Sequence, residues 1–525
     1  MERVMTTRAK ALTIITLSAT LMLAPAQTTQ TVQAPPAAAP PPALSSTEQM
    51  IKDIKNPAGW LSWGADLRLR NEYFNNAQTL TSDPLVNPRN YDLHAQDYFR
   101  FRARVWTSIT PVENLSLNAR VASEPREWME PSSAGTFYRQ SGLEWRYGIV
   151  DNLNIQWKKP MDLPVTLKVG RQDIFPGTPS ALGDGWLVAD GTPGDGSWTF
   201  FFDAARLTLN LEEQKTTIDA IGILQYVQPD AWLPTIGSST TAGSPNRYTL
   251  TDQNEKGAIL WVANKSIPVA NLDGYFIYKH DTRETTPPPG ATSAANGFNT
   301  YTNGDNADIF TLGGRVSGLV KEHWKYSAEG AYQFGQKQDP RLTGSDAGAA
   351  AALSYHDINA FGVNSRLSYL FNDAMANQVF LSYEFLSGDN PSTGNDEMFD
   401  VLWGRWPRWS ELYNIYSYIP ETRIGQTANM WRLGPGYSIN PTKRMNFSFN
   451  YNALFANQDV PTRATVPTAF SDTGNFRGHY LQAILRYKFS EHMSAHLWSE
   501  FVFMGNYYAS EQMMTFLRAE ILFTF

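Results

Sequence analysis

Cysteine is absent from the 525 residues, which excludes disulfides, thiolate metal sites and a lipid-modified cysteine. Long apolar runs are missing too. Beyond the N-terminal stretch nothing reaches the roughly 18 consecutive apolar residues that a membrane-crossing helix requires. No G-x-S-x-G nucleophile elbow occurs, and the seven histidines are scattered. Only His496 falls on a shared strand face near a carboxylate, Glu500, and that pair reads as wall lining rather than an acid–base site. No enzyme activity, cofactor or metal is therefore expected. A net charge of -7 gives no reason to expect nucleic acid as a partner.

What is present is period-two hydrophobicity. From Trp60 to Phe525 eighteen segments of about ten residues alternate apolar and polar side chains, joined by eight tight turns and nine long loops in strict alternation. In the first, Ala65, Leu67, Leu69 and Tyr73 alternate with Asp66, Arg68, Arg70 and Glu72. Arg or Lys facing lipid at mid-membrane costs about 2–4 kcal/mol, so the charged face must look into a wet lumen. The predicted fold is all-β: a transmembrane antiparallel up-and-down barrel of about eighteen strands. A mean hydropathy of -0.36 fits, because only every second strand residue meets lipid. The 16 Trp and 24 Tyr suit aromatic girdles at both interfaces.

The N-terminus reads as a cleaved secretory signal over 1–26, with Arg3, Arg8 and Lys10, an apolar Ala11–Leu23 region and the Ala24-Pro25-Ala26 site. A Pro/Ala-rich leader with a short helix follows over 27–58, the helix opened by a capping-box-like Ser45-Ser46-Thr47-Glu48. The barrel occupies 59–525. The chain ends on Phe525 of an alternating strand, which resembles the C-terminal signature of bacterial outer-membrane barrels. The expected localisation is the bacterial outer membrane, with the short turns periplasmic and the long loops outside.

Parity places about eighteen Lys/Arg against about ten Asp/Glu on the inward face. Arg68, Arg100, Arg102, Arg104, Arg120, Arg146, Lys168, Arg206, Arg366, Arg432 and Arg486 are the expected channel residues. A confined ladder of arginines attracts anions, and arginine suits bidentate carboxylate recognition. The alternative is pairing with inward acids such as Asp66, Glu72, Glu124 and Glu144. Inward Trp106 and Trp498 are candidates for stacking on sugar rings. Gly and Asp crowd the segment 183–196, which suits tight turns and an ordered loop folded into the pore.

Three stretches resemble the alginate export family of outer-membrane barrels. They are Leu167–Gln172 with Gly183-Asp184-Gly185, Asp190–Pro193 and Phe202–Leu207; then Trp406–Leu412; then Trp431–Gly436. The resemblance implies an eighteen-stranded monomer whose arginine-rich constriction passes a polyuronate such as alginate, with outer-membrane lipid, an anionic saccharide and periplasmic export machinery as partners. It also brings in Arg171, which lies on the wrong parity unless a local bulge turns it inward, and Asp184 and Asp190 as constriction-loop residues. The long loops 282–307 and 388–427 read as elaborations. A general or sugar- or anion-selective porin for small solutes is the competing function.

Overall fold

The computed structural model describes residues 46–76, 95–130, 142–144, 148–174, 182–189, 199–227, 229, 232–236, 250–251, 253–283, 306–338, 355–390, 392–404, 408–412, 428–458, 471, 474–509 and 512–525. The expected signal and most of the leader lie outside these residues. Two compact units are distinguished, Met1–Gln49 and Met50–Phe525. The described part of the first is the opening turn of helix α1, Ser46–Lys55, where the capping-box reading places a helix. Within the second unit, Trp63 Nε1 donates to the α1 carbonyl of Ile54 at 2.8 Å. No described helix is long and apolar enough to cross a membrane.

Twenty strands follow among the described residues. They are β1 Leu61–Asn75, β2 Ala95–Val112, β3 Leu115–Ser123, β4 Arg126–Glu130, β5 Gly142–Glu144, β6 Gly148–Lys158, β7 Val165–Gln172, β8 Phe202–Leu211, β9 Thr216–Gln225 and β10 Gln253–Ile267. The second half comprises β11 Ala270–Arg283, β12 Ala307–Val320, β13 Trp324–Gln338, β14 Tyr355–Leu370, β15 Gln378–Leu386, β16 Met430–Thr442, β17 Met445–Ala456, β18 Phe476–Lys488, β19 Met493–Met504 and β20 Met513–Thr524. β3 and β4 both pair with β2, while β6 pairs with β3 and β5 with β4. Each couple therefore forms one broken stave, and the sheet has eighteen staves. β20 pairs back onto β1 from Asp66↔Thr524 to Asn75↔Thr515. The barrel is closed and antiparallel throughout, so it has no free edge to satisfy in lipid.

The alternation read from sequence is the alternation of the wall. Leu67 is 51 % exposed on the outer face of β1, whereas its neighbours Arg68 and Arg70 are buried inside. On the last strand Leu517, Ile521 and Phe523 face out while Arg518 and Glu520 are buried inside. Trp106 points inward as expected, but its ring lies flat against Gly64 of β1, where an added Cβ would stand 2.6 Å from the indole. Glycine at 64 is required by that close approach. One expected loop is shorter than the rest: β19 and β20 are joined by only 505–512.

The interior is filled, and it is not uniformly polar. The inward face from β8 to β14 presents Ile221, Ile223, Ile259, Trp261, Tyr275, Ile277, Ile309 and Ile358, packed with Trp186, Leu187 and Val188 and with Phe399, Leu402 and Trp403 from two long connections. A second cluster gathers Trp409 and Leu412 against Phe74, Tyr98, Tyr480, Val502, Met514 and Phe516 of the opposite wall. Apolar side chains that point inward need apolar partners to exclude water, and the infolded loops supply them.

Candidate functional site: the lumen and its infolded loops

Two infolded loops are sewn to each other. Val188 and Trp403 form a parallel β-bridge, with Trp403 N donating to Leu187 O at 3.0 Å and Ala189 N to Trp403 O at 3.2 Å. Gly404 lies against the Trp186 carbonyl so closely that a Cβ would stand 1.8 Å from its oxygen. Trp186 stacks on Phe399 with ring centroids 5.5 Å apart. The described part of the Gly/Asp-rich segment, 183–189, is thus an infolded loop, and 190–196 lie outside the described residues. The described residues of the long connection 388–427 supply the other half of this pairing. Asp396, on the same connection, is buried inside, its backbone paired beside Ile358 of β14.

Wall carboxylates hold both loops. Trp186 Nε1 donates to Glu384 on β15 at 3.1 Å, and Trp403 Nε1 donates to Glu255 on β10 at 3.0 Å. Gln333 on β13 accepts from Asp400 N at 2.8 Å and donates to its carbonyl at 2.7 Å. Glu500 on β19 takes Ser410 Oγ at 2.7 Å, Glu411 N at 3.0 Å and Leu412 N at 2.8 Å. It also accepts Trp498 Nε1 at 2.7 Å. Glu500 therefore caps a short helical turn, and its closeness to His496 has no catalytic geometry; His496 instead faces Glu520 at 3.5 Å.

The arginine ladder on the first staves is matched by acids. Arg68 meets Glu124 at 3.5 Å and Glu520 at 3.8 Å, Arg100 meets Glu72 at 3.3 Å, Arg102 meets Asp66 at 3.8 Å, and Arg104 clasps Asp66. Arg120 bridges Asp151 at 2.9 Å and Asp173 at 2.8 Å, and Arg206 meets Asp219 at 2.9 Å. Two arginines absent from the expected set, Arg70 and Arg518, join the same network through Glu520 at 2.6 Å and Glu72 at 2.6 Å. Their parity already marked them as inward. Lys168 stands in register with Arg206 and Gln156 and has no ion-pair partner among the described residues.

Arg171 behaves differently. The β6–β7 ladder runs without a shift from Lys158↔Thr166 to Leu153↔Arg171, so the expected bulge is absent. Arg171 meets Asp203 at 2.8 Å, donates to Val150 O at 2.9 Å and lies 3.8 Å from the Phe201 ring centroid. It is 1 % exposed, enclosed within the wall. Arg146 and Asp190 lie outside the described residues. Asp184 is described: it stands 3.8 Å from Arg315 and lines the lumenal cavity.

That cavity encloses about 370 Å³ between the infolded loops and the wall from β13 to β19. Its cations are Arg366, Arg408, Arg432 and Arg486, against the carboxylates Asp184 and Glu384. Arg432 is bonded to Glu384 at 2.9 Å and Asn452 at 3.0 Å. Arg366 lies 3.6 Å from the Phe380 ring centroid and has no carboxylate partner among the described residues. Ser327, Asn364, Ser382, Ser438, Ser448 and Asn450 line the same space, offering it hydroxyl and amide groups. Trp498 borders it, with Arg486 and Arg518 over its ring at 5.7 and 5.5 Å.

A family model described as "Alginate export" matches residues 239–520. The chain belongs to the alginate export family. The match contains the stretches around 406–412 and 431–436 that carried the resemblance, together with β10 to β19, and it makes the protein an outer-membrane barrel. In such barrels the short turns face the periplasm. Among solved structures, Acinetobacter baumannii OccAB1 is 9% identical with a TM-score of 0.49, covering 88% of this chain and 96% of its own. A. baumannii OccAB2 is 12% identical (TM-score 0.48, covering 88% and 98%). Pseudomonas aeruginosa OccK8 (OprE) is 11% identical (TM-score 0.48, 88% and 98%). No curated protein matches the sequence.

Proposed function

We propose that this alginate-export barrel is a passive channel for an anionic polysaccharide or oligosaccharide, a polyuronate such as alginate. Its path runs along the wall from β14 to β19. The observation that carries the reading is Arg366, a lumenal guanidinium without a carboxylate partner among the described residues, set among serines and asparagines. Arginine there attracts a carboxylate, while hydroxyl and amide neighbours suit sugar hydroxyls. Each contact is weak enough to release the polymer onward, as conduction requires. The arginines on β1 to β3 serve mainly as wall braces in this reading, since acids already occupy them.

The test is the reversal potential of the purified protein in a planar bilayer under a salt gradient, followed by titration with oligomannuronate. Anion selectivity with concentration-dependent block supports the polyuronate path. The second reading, a weakly selective porin for small solutes, is favoured by the balanced ion pairs of Arg68, Arg100 and Arg104. It predicts conductance with no polymer block.

A further inference from the structure

Most of the periplasmic rim carries its cations beside acids. Lys158 and Lys159 share a turn with Asp162, Lys215 follows Glu212 and Glu213, and Lys321 precedes Glu322. The turns after β16 and β18 break this habit. Lys443 and Arg444 occupy the first, and Lys488 stands at the foot of β18. All three are exposed, and none has a carboxylate partner among the described residues. Together with His492 they line a groove of about 460 Å³ in which Glu491 is the one carboxylate. Asn446 and Arg486 line this groove and also the lumenal cavity. Arg486 therefore stands between the rim cations of the groove and Arg366 of the lumenal cavity.

We propose that this groove is a capture site on the periplasmic face for a carboxylate-bearing saccharide chain. Lys443, Arg444 and Lys488 draw the carboxylates by charge, and Arg486 receives the chain into the lumen. Exposed cations of one sign raise the encounter rate with a polyanion, and salt screens the effect. The inference rests on the channel reading above and adds a direction-specific entrance to it.

The experiment uses the full chain in a planar bilayer. Because the sequence has no cysteine, Ser490→Cys gives a single thiol in the short turn after β18, and an impermeant thiol reagent identifies the chamber that this turn faces. Oligomannuronate is then added to either chamber. In a Lys443→Gln/Arg444→Gln/Lys488→Gln variant, the association rate for block from the turn side falls about 10-fold at low salt and loses most of its salt dependence. Block from the loop side keeps its rate, which also certifies that the variant is folded. Glu491→Gln raises the turn-side rate. Equal loss from both sides overturns the capture site. So does an unchanged turn-side rate, which would assign the groove to an acidic protein partner. Wild type that is blocked from neither side sinks the channel reading and the entrance with it, and is distinguishable because the variant is then immaterial.

Discussion

At Arg366 the guanidinium lies over the Phe380 ring with open cavity beyond it, whereas Arg68 is buried between Glu124 and Glu520. The same side chain thus has two settings, and replacement should separate them. Arg366→Gln is expected to move the reversal potential toward the cation side and to weaken oligomannuronate block about 5- to 10-fold, the loss of one charge-assisted contact of roughly 1–1.4 kcal/mol. Denaturant stability should be unchanged. Arg68→Gln leaves Glu520 its bond to Arg70 but deprives the buried Glu124 of its ion pair, at a cost of about 3–5 kcal/mol. It should appear as a lower unfolding midpoint with selectivity nearly intact. Parity in the sequence put both residues on the same strand face as the other polar side chains. It gave no partner, because the acids come from distant strands: Arg70 and Glu520 are 450 residues apart yet bonded at 2.6 Å.

The elements that narrow the pore are loops, and loops carry no periodic signal. The Gly/Asp density of 183–196 marked one of them. The other left a fainter trace: Phe399, Leu402, Trp403 and Trp409 are large apolar residues in a stretch too irregular to face lipid, so an interior berth was the available inference. Their anchors sit on strands, one acceptor at a time. Glu500→Ala removes the acceptor for Ser410, Glu411 and Leu412 and should loosen that turn, raising single-channel conductance and its open-state noise. Trp403→Ala deletes a fully buried indole and its bond to Glu255; about 3–5 kcal/mol of packing is lost, read as greater protease cleavage within the infolded loop.

The periplasmic turn before β15 offers a pH test at the same scale. Asp373 accepts Asn377 N at 3.0 Å and Met375 N at 3.2 Å, and these bonds, Asn377 first, hold its carboxyl below the usual aspartate range. A carboxyl whose pKa is lowered by folding supports the turn fully above the ordinary value of about 4 and loses that support as pH falls through the lowered one. Amide exchange at Asn377 should therefore stay slow through pH 4 and quicken only below it. Asp373→Asn should remove the pH dependence.

For the molecule as a whole, eighteen staves, the short-turn rim and the inward charged face were legible because a bilayer enforces period two on every crossing. The setting of Arg171 was not, since only the unbroken ladder to Leu153 shows that no bulge turns it inward. The apolar half of the lumen was also hidden. Strands such as β9 and β10 carry apolar side chains on both faces, and only knowledge of the infolded loops explains the inner one.

The bridge between Val188 and Trp403 also bears on how the protein reaches its final form. It joins strangers in sequence, and the clasp of Glu500 on residues 410–412 awaits the penultimate strand. Both fastenings lie inside a cylinder that closes only when β20 finds β1. Pairings of such long sequence separation are slow to form, so the filling settles after the strands have paired. Refolding into detergent should accordingly show strand formation by circular dichroism well before near-ultraviolet tryptophan signals settle. Trp403→Ala should abolish much of that lag.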